Sequence, residues 1–130
     1  MAWLEPVLRS ARRAGLLVEV RVVGDPGEPA PEVAAAALAA VRGVLGVLPP
    51  CPATLTVLGS GADVELYLTF AAPSPAPPCL SSPAGLDLAG LDLAGLGARL
   101  PATACWRATL DVEETGAGCL EAGWRKALAA

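Results

Sequence analysis

Thirteen carboxylates, nine basic residues and four cysteines are the groups with which this 130-residue chain could do chemistry. Histidine, asparagine and glutamine are absent. Without histidine there is no Ser-His or Cys-His dyad, no imidazole metal ligand and no phosphohistidine. Cys51, Cys79, Cys105 and Cys119 stand 28, 26 and 14 residues apart. None forms the C-x₂-C pair from which four-cysteine zinc sites are usually built, so reduced and mostly buried thiols are expected. Most carboxylates alternate with apolar residues, a pattern of solvated strand faces. The local cluster Asp111, Glu113 and Glu114 leads into a turn, whereas a glycosidase pair needs two carboxylates about 5–10 Å apart in a cleft. Asp25-Pro26-Gly27 and Gly59-Ser60-Gly61 lack the downstream Lys and Ser/Thr of a phosphate-binding P-loop. Arg9, Arg12 and Arg13 share a helix face, read as solvated. The expectation is no catalytic residue, no metal site and no cofactor.

The composition bounds the rest. Apolar residues make up 54% and charged residues 17%, with a net charge of −4. One domain over residues 1–130 is expected, and nucleic acid is excluded as the main partner. Depletion of Ile, Asn, Lys, Phe, Tyr and Met together looks like the coding bias of a high-GC genome. Met1-Ala2-Trp3-Leu4-Glu5-Pro6 has no basic segment leading into an apolar one, so no signal peptide is expected. The apolar run from Val33 to Leu48 is interrupted by Arg42 and falls short of the ~20 residues of a membrane span. It reads as a buried core helix, and the chain as cytoplasmic with no membrane partner.

Leu4, Val7, Leu8 and Ala11 recur at helical spacing within a helix from Trp3, closed by Gly15. Val18, Val20 and Val22 alternate with Glu19 and Arg21, a strand with one buried face. Turn residues 24–29 follow, then a long helix from Pro31 to about Leu48, stopped by Pro49-Pro50. Thr54 to Leu58 and Val64 to Phe70 form a hairpin. Residues 71–84, with Pro73, Pro75, Pro77, Pro78 and Pro83, read as an irregular loop. The repeat Gly-Leu-Asp-Leu-Ala at 85–89 and 90–94 is too short for a solenoid, and 85–100 reads as a glycine-bearing helix. A turn at Thr115-Gly116-Ala117 closes a last hairpin, with Trp106, Ala108, Leu110 and Val112 facing the same way as Leu120, Ala122 and Trp124. Trp106 and Trp124 are expected as diagonal neighbours in the core. The order α-β-α-β-β-α-β-β gives an α/β (α+β) two-layer sandwich: a mixed, mostly antiparallel sheet with three helices on one face.

That order resembles the ATP-binding domain of sensor histidine kinases, the GHKL or Bergerat fold. The stretch from Ala11 to Leu68 is the most similar, to kinases that partner LuxR-type response regulators. The glycine segment Gly90 to Leu96 and the last hairpin extend the likeness over nearly the whole chain. The resemblance implies a Glu-x-x-x-Asn motif on the long helix, the Asn holding Mg²⁺ on the nucleotide phosphates. Those positions fall at about Val41 and Leu45, with a further basic residue or His expected at Pro49. Mg²⁺ requires oxygen ligands that Val and Leu lack, and no register supplies an asparagine. Glu32, the only carboxylate on the helix, lies about two turns too early. The Asp-x-Gly-x-Gly motif that would hold adenine has no counterpart, since neither Asp nor Gly occurs between Val64 and Ala84. Gly85, Gly90, Gly95 and Gly97 are what remains of a phosphate-binding glycine loop. The helical hairpin with the phospho-accepting His, which the resemblance places before this domain, is not expected here, since the sequence holds no histidine.

The expectation is therefore a degenerate relative: a non-catalytic regulatory or interaction module in two-component-type signalling. Its partner would be a response regulator or a histidine kinase, with the 71–84 loop in place of the nucleotide motif and lid. The positions left around the vestigial pocket are Val41, Leu45, Leu48, Phe70, Leu86, Gly90 and Gly95. The alternative is a small-ligand-binding or residual ATP-binding protein that uses this vacated pocket.

Overall fold

The computed structural model describes residues 2–46, 48, 50–71, 87–88, 91–92, 100, 102–112 and 117–125. A 3-10 turn at Ala2–Leu4 leads into α1 (Glu5–Arg13), whose Val7, Leu8 and Ala11 are buried while its arginines face outward. Gly15, at φ +94°, ends this helical segment in a conformation that favours glycine. Strand β1 (Leu17–Gly24) follows. Pro31 opens α2 (Pro31–Leu45), where its missing N–H would have had no helical partner. The helix stops at Gly46, earlier than the proline pair would impose; the Gly46 N–H still donates to the Arg42 carbonyl at 2.8 Å. Glycine's poor helix propensity accounts for the earlier end.

β2 (Pro52–Ser60) and β3 (Asp63–Ala71) form the expected hairpin, longer at both ends. β4 (Asp87–Leu88) pairs antiparallel with β5 (Leu91–Asp92), where a third helix was expected. Only two α-helices are present among the described residues. The alternation Leu-Asp-Leu has the strand period of two, and two residues separate β4 from β5, the length of a tight hairpin connection. Glycine at every fifth position also opposes a helix there. After a 3-10 turn at Ala102–Ala104, β6 (Arg107–Val112) and β7 (Ala117–Arg125) complete the chain.

The main sheet has the order β1-β2-β3-β7-β6. β1 and β2 run parallel, with α2 as their crossover; the other neighbours are antiparallel. One face reads Val20, Leu55, Leu68, Leu120 and Leu110 straight across the strands, and the next row Val22, Val57, Leu66, Ala122 and Ala108. Both helices pack on this face. Val33, Ala37, Ala40, Val41, Val44 and Leu45 of α2 recur at three- and four-residue spacing in the same core as the strand residues. Each fully buried Val or Leu contributes about 1.5–3 kcal/mol relative to exposure. Among the described residues, no buried side chain is polar or charged.

Trp124 is almost wholly buried, edge-on to Trp3 and stacked on Trp106, each at 6.1 Å between ring centroids. The expected contact with Trp106 forms, but the register differs. Leu110 pairs with Leu120 and Ala108 with Ala122, so Trp106 comes opposite Trp124 rather than diagonal to it. The β1–β2 end is tight: a Cβ at Gly24 (φ +72°) would collide with the Gly59 carbonyl oxygen. No helix among the described residues is long and apolar enough to cross a membrane.

Candidate functional site

The positions at which a nucleotide site is expected are Val41, Leu45, Leu48 and Phe70, and the structure buries all four in the hydrophobic core. Val41 and Leu45 lie on consecutive turns of α2, on the stripe that packs against the sheet. Val41 has no solvent exposure. Phe70 comes from the end of β3, and its ring lies over Gly118 of β7, where an added Cβ would sit 2.5 Å from the ring. The small residue opposite the phenyl group is what lets it turn inward. Leu86, Gly90 and Gly95, like the greater part of the 71–84 loop and Cys79, lie outside the described residues.

Leu45 and Leu48 also border a groove of ≈ 390 Å³ on the other flank of α2, against α1. Its wall is completed by Pro6, Val7, Ala11 and Ala14, with Ser10 and Arg42 as the polar side chains. Among the described residues, no carboxylate lines it. Glu32 is exposed in the first turn of α2, remote in sequence from Val41 and Leu45. No group of three Cys, Asp or Glu residues that could hold a metal occurs among the described residues. Valine and leucine offer Mg²⁺ no oxygen, so the described part of α2 does not fit Mg·ATP in the way the resemblance requires.

Among the described residues, polar side-chain contacts are concentrated on the opposite face of the sheet, which neither α1 nor α2 covers. There, Arg21, Thr56, Tyr67, Glu121 and Thr109 form one row, and Glu65, Gly123 and Arg107 lie in the next. Arg107 reaches across β7 and donates from Nη2 to Glu65 Oε1 at 3.3 Å. Gly123 makes this possible, because a Cβ there would stand 2.7 Å from the guanidinium carbon. The Tyr67 hydroxyl donates to the other Glu65 oxygen at 2.7 Å. That hydrogen bond is the main cause raising the Tyr67 pKa above the ordinary phenol value; burial and the charges of Glu65 and Glu121 add to it, and Arg107 opposes it. Alternation with Ala108, Leu120 and Ala122 accounts for the place of Arg107 and Glu121 on this face. The link to Glu65 escaped it, because the pairing joins strands on either side of β7, and the glycine between them was its only trace.

Burial is also the main cause pushing the Cys51 and Cys119 thiols upward; around Cys119 the charges of Glu121 and Asp111 add to it, and at Cys51 a backbone hydrogen bond from Ala71 opposes it. This direction is opposite to the depression that activates a reactive cysteine.

No family model and no curated protein matches the sequence. The fold is nevertheless that of histidine kinase catalytic (ATP-binding) domains. The nucleotide-free catalytic domain of histidine kinase ThkA superimposes with a TM-score of 0.66 at 12% identity, over 96% of this chain and 88% of that one. The mycobacterial sensor histidine kinase MprB gives 0.60 at 18% identity, over 96% and 93%. ThkA in complex with the response regulator TrrA gives 0.61 at 8% identity, over 97% of this chain and 39% of that one.

Proposed function

We propose that this chain is a non-catalytic regulatory module of two-component-type signalling, built on the histidine kinase catalytic-domain fold and acting through contact with a response regulator or a sensor kinase. One observation carries the reading. The α2 positions where the resemblance requires a carboxylate and a magnesium-holding amide are Val41 and Leu45, and both belong to a core without a polar side chain among the described residues. The absence of asparagine and histidine throughout the chain supports it further. The resemblance also predicts a partner of this kind, and ThkA is found in complex with a response regulator.

A pull-down from the native cell tests the proposal. Recovery of a response regulator or sensor kinase, with binding unchanged by Mg·ATP, is the expected result. A retained nucleotide or other small molecule, with no signalling protein, would instead support ligand binding and overturn it.

A further inference from the structure

The large apolar side chains exposed among the described residues are Leu17, Val22 and Val23, at 72, 48 and 55%. All three belong to β1, an edge strand whose outer side pairs with no strand among the described residues. Leu17 N–H donates inward to the Cys51 carbonyl at 3.2 Å. Along a strand the backbone groups alternate in direction, so Val18, Val20 and Val22 point theirs out to the open edge. The Val18 carbonyl confirms this direction: it accepts a bond of 3.4 Å from Arg12 Nη2 at the exposed edge.

From this arrangement we infer that β1 pairs antiparallel with β1 of a second copy of this chain, about a two-fold axis at Val20. The strand reads nearly the same from either end about that residue. Val20 meets its own copy, Val18 meets Val22, Glu19 meets Arg21, and Leu17 meets Val23. The residues with outward backbone groups are then opposite one another, as mutual hydrogen bonding in an antiparallel pair requires. Glu19 and Arg21, which pair within one strand at 3.3 Å, gain a second opposite charge across the axis. Leu17 covers Val23 on the face opposite α1 and α2, and Val18 covers Val22 on the other. Moving the axis to residue 19 or residue 21 would set Glu19 against Glu19 or Arg21 against Arg21, so charge selects the register. Arg12 leaves the Val18 carbonyl as the second strand arrives, a small loss for an exposed guanidinium at that distance. The two sheets become continuous, with the helices of both copies on the same side, and the open edge is removed.

Sedimentation velocity of the whole chain over a concentration series is the test, with circular dichroism to verify the fold of each variant. The native chain is expected to show a concentration-dependent dimer. Glu19→Arg and Arg21→Glu should each weaken it about tenfold or more by placing like charges across the axis. Mixed in equal amounts, the two variants should associate again, because each supplies the charges the other lacks. Val20→Pro removes an N–H that points outward, so the monomer should fold while the dimer is lost. A native chain monomeric at every concentration would overturn the inference. So would a dimer indifferent to Val20→Pro, which would point to the β6 edge, or a failure of the mixed variants to associate.

Discussion

On the helix-covered face of the sheet, Val57 and Leu66 stand opposite one another without solvent exposure; one residue along the same two strands, Thr56 stands opposite Tyr67 on the other face. The first face joins α2 in a continuous apolar core, and the second carries the Glu65–Tyr67–Arg107 cluster. The resemblance places a carboxylate and an asparagine on the long helix. Here the residues facing the sheet from α2 are hydrocarbon, and the hydrogen-bonded side chains are on the far side. The same layers can form with hydrocarbon at these helix positions, because packing needs only volume and apolar surface there.

The sharpest separation of the two faces comes from truncation. Trp124→Ala should destabilise by about 3–5 kcal/mol, since it empties the contact of three tryptophans. Urea denaturation measures this, and near-ultraviolet dichroism should lose its aromatic signal. Leu45→Asn comes next: it removes buried hydrocarbon and leaves an amide without partners, at a loss of about 2–4 kcal/mol. If denaturation showed a loss below about 1 kcal/mol, that turn of α2 would face water, and the contrast would fail.

Changes on the open face should be smaller. Arg107→Ala should lower stability by at most about 1 kcal/mol, by an amount that shrinks with added salt, because the ion pair is exposed. A urea series at two salt concentrations checks this. The pH dependence should be gentler still. The folded chain holds the Cys51, Cys119 and Tyr67 protons more tightly than the unfolded chain does. Stability from these groups is therefore complete below their ordinary values of 9.0 and 10.0 and is lost as pH rises through the higher folded values. Tyr67→Phe should remove the later part of this alkaline decline in thermal melts while leaving the earlier thiol part in place.

Much of this architecture was legible locally. Gly15 closes the first helical segment, Pro31 opens the second helix, and the threonine-aliphatic alternation of β2 gives its two faces directly. Within the helix expected over 85–100, Asp87–Leu88 and Leu91–Asp92 are extended instead, because leucines spaced at two and five residues satisfy helical and extended patterns alike over so short a span, and residues 93–99 lie outside the described residues. Strand order was less accessible. Val22 alternates like a half-buried residue yet is exposed, because β1 lies at an edge and the helices cover it only partly. Arg107 and Glu65 are 42 positions apart, and their contact depends on a register that no local pattern encodes. At the expected site, the residue types were plain in the sequence; that Val41 and Leu45 pack into the core required the fold.

Isothermal titration of the whole chain with Mg·ATP addresses the central claim most directly. No saturable heat is expected, because hydrocarbon occupies the α2 positions where magnesium and phosphate would need oxygen and nitrogen. A stoichiometric isotherm in the micromolar range would contradict it.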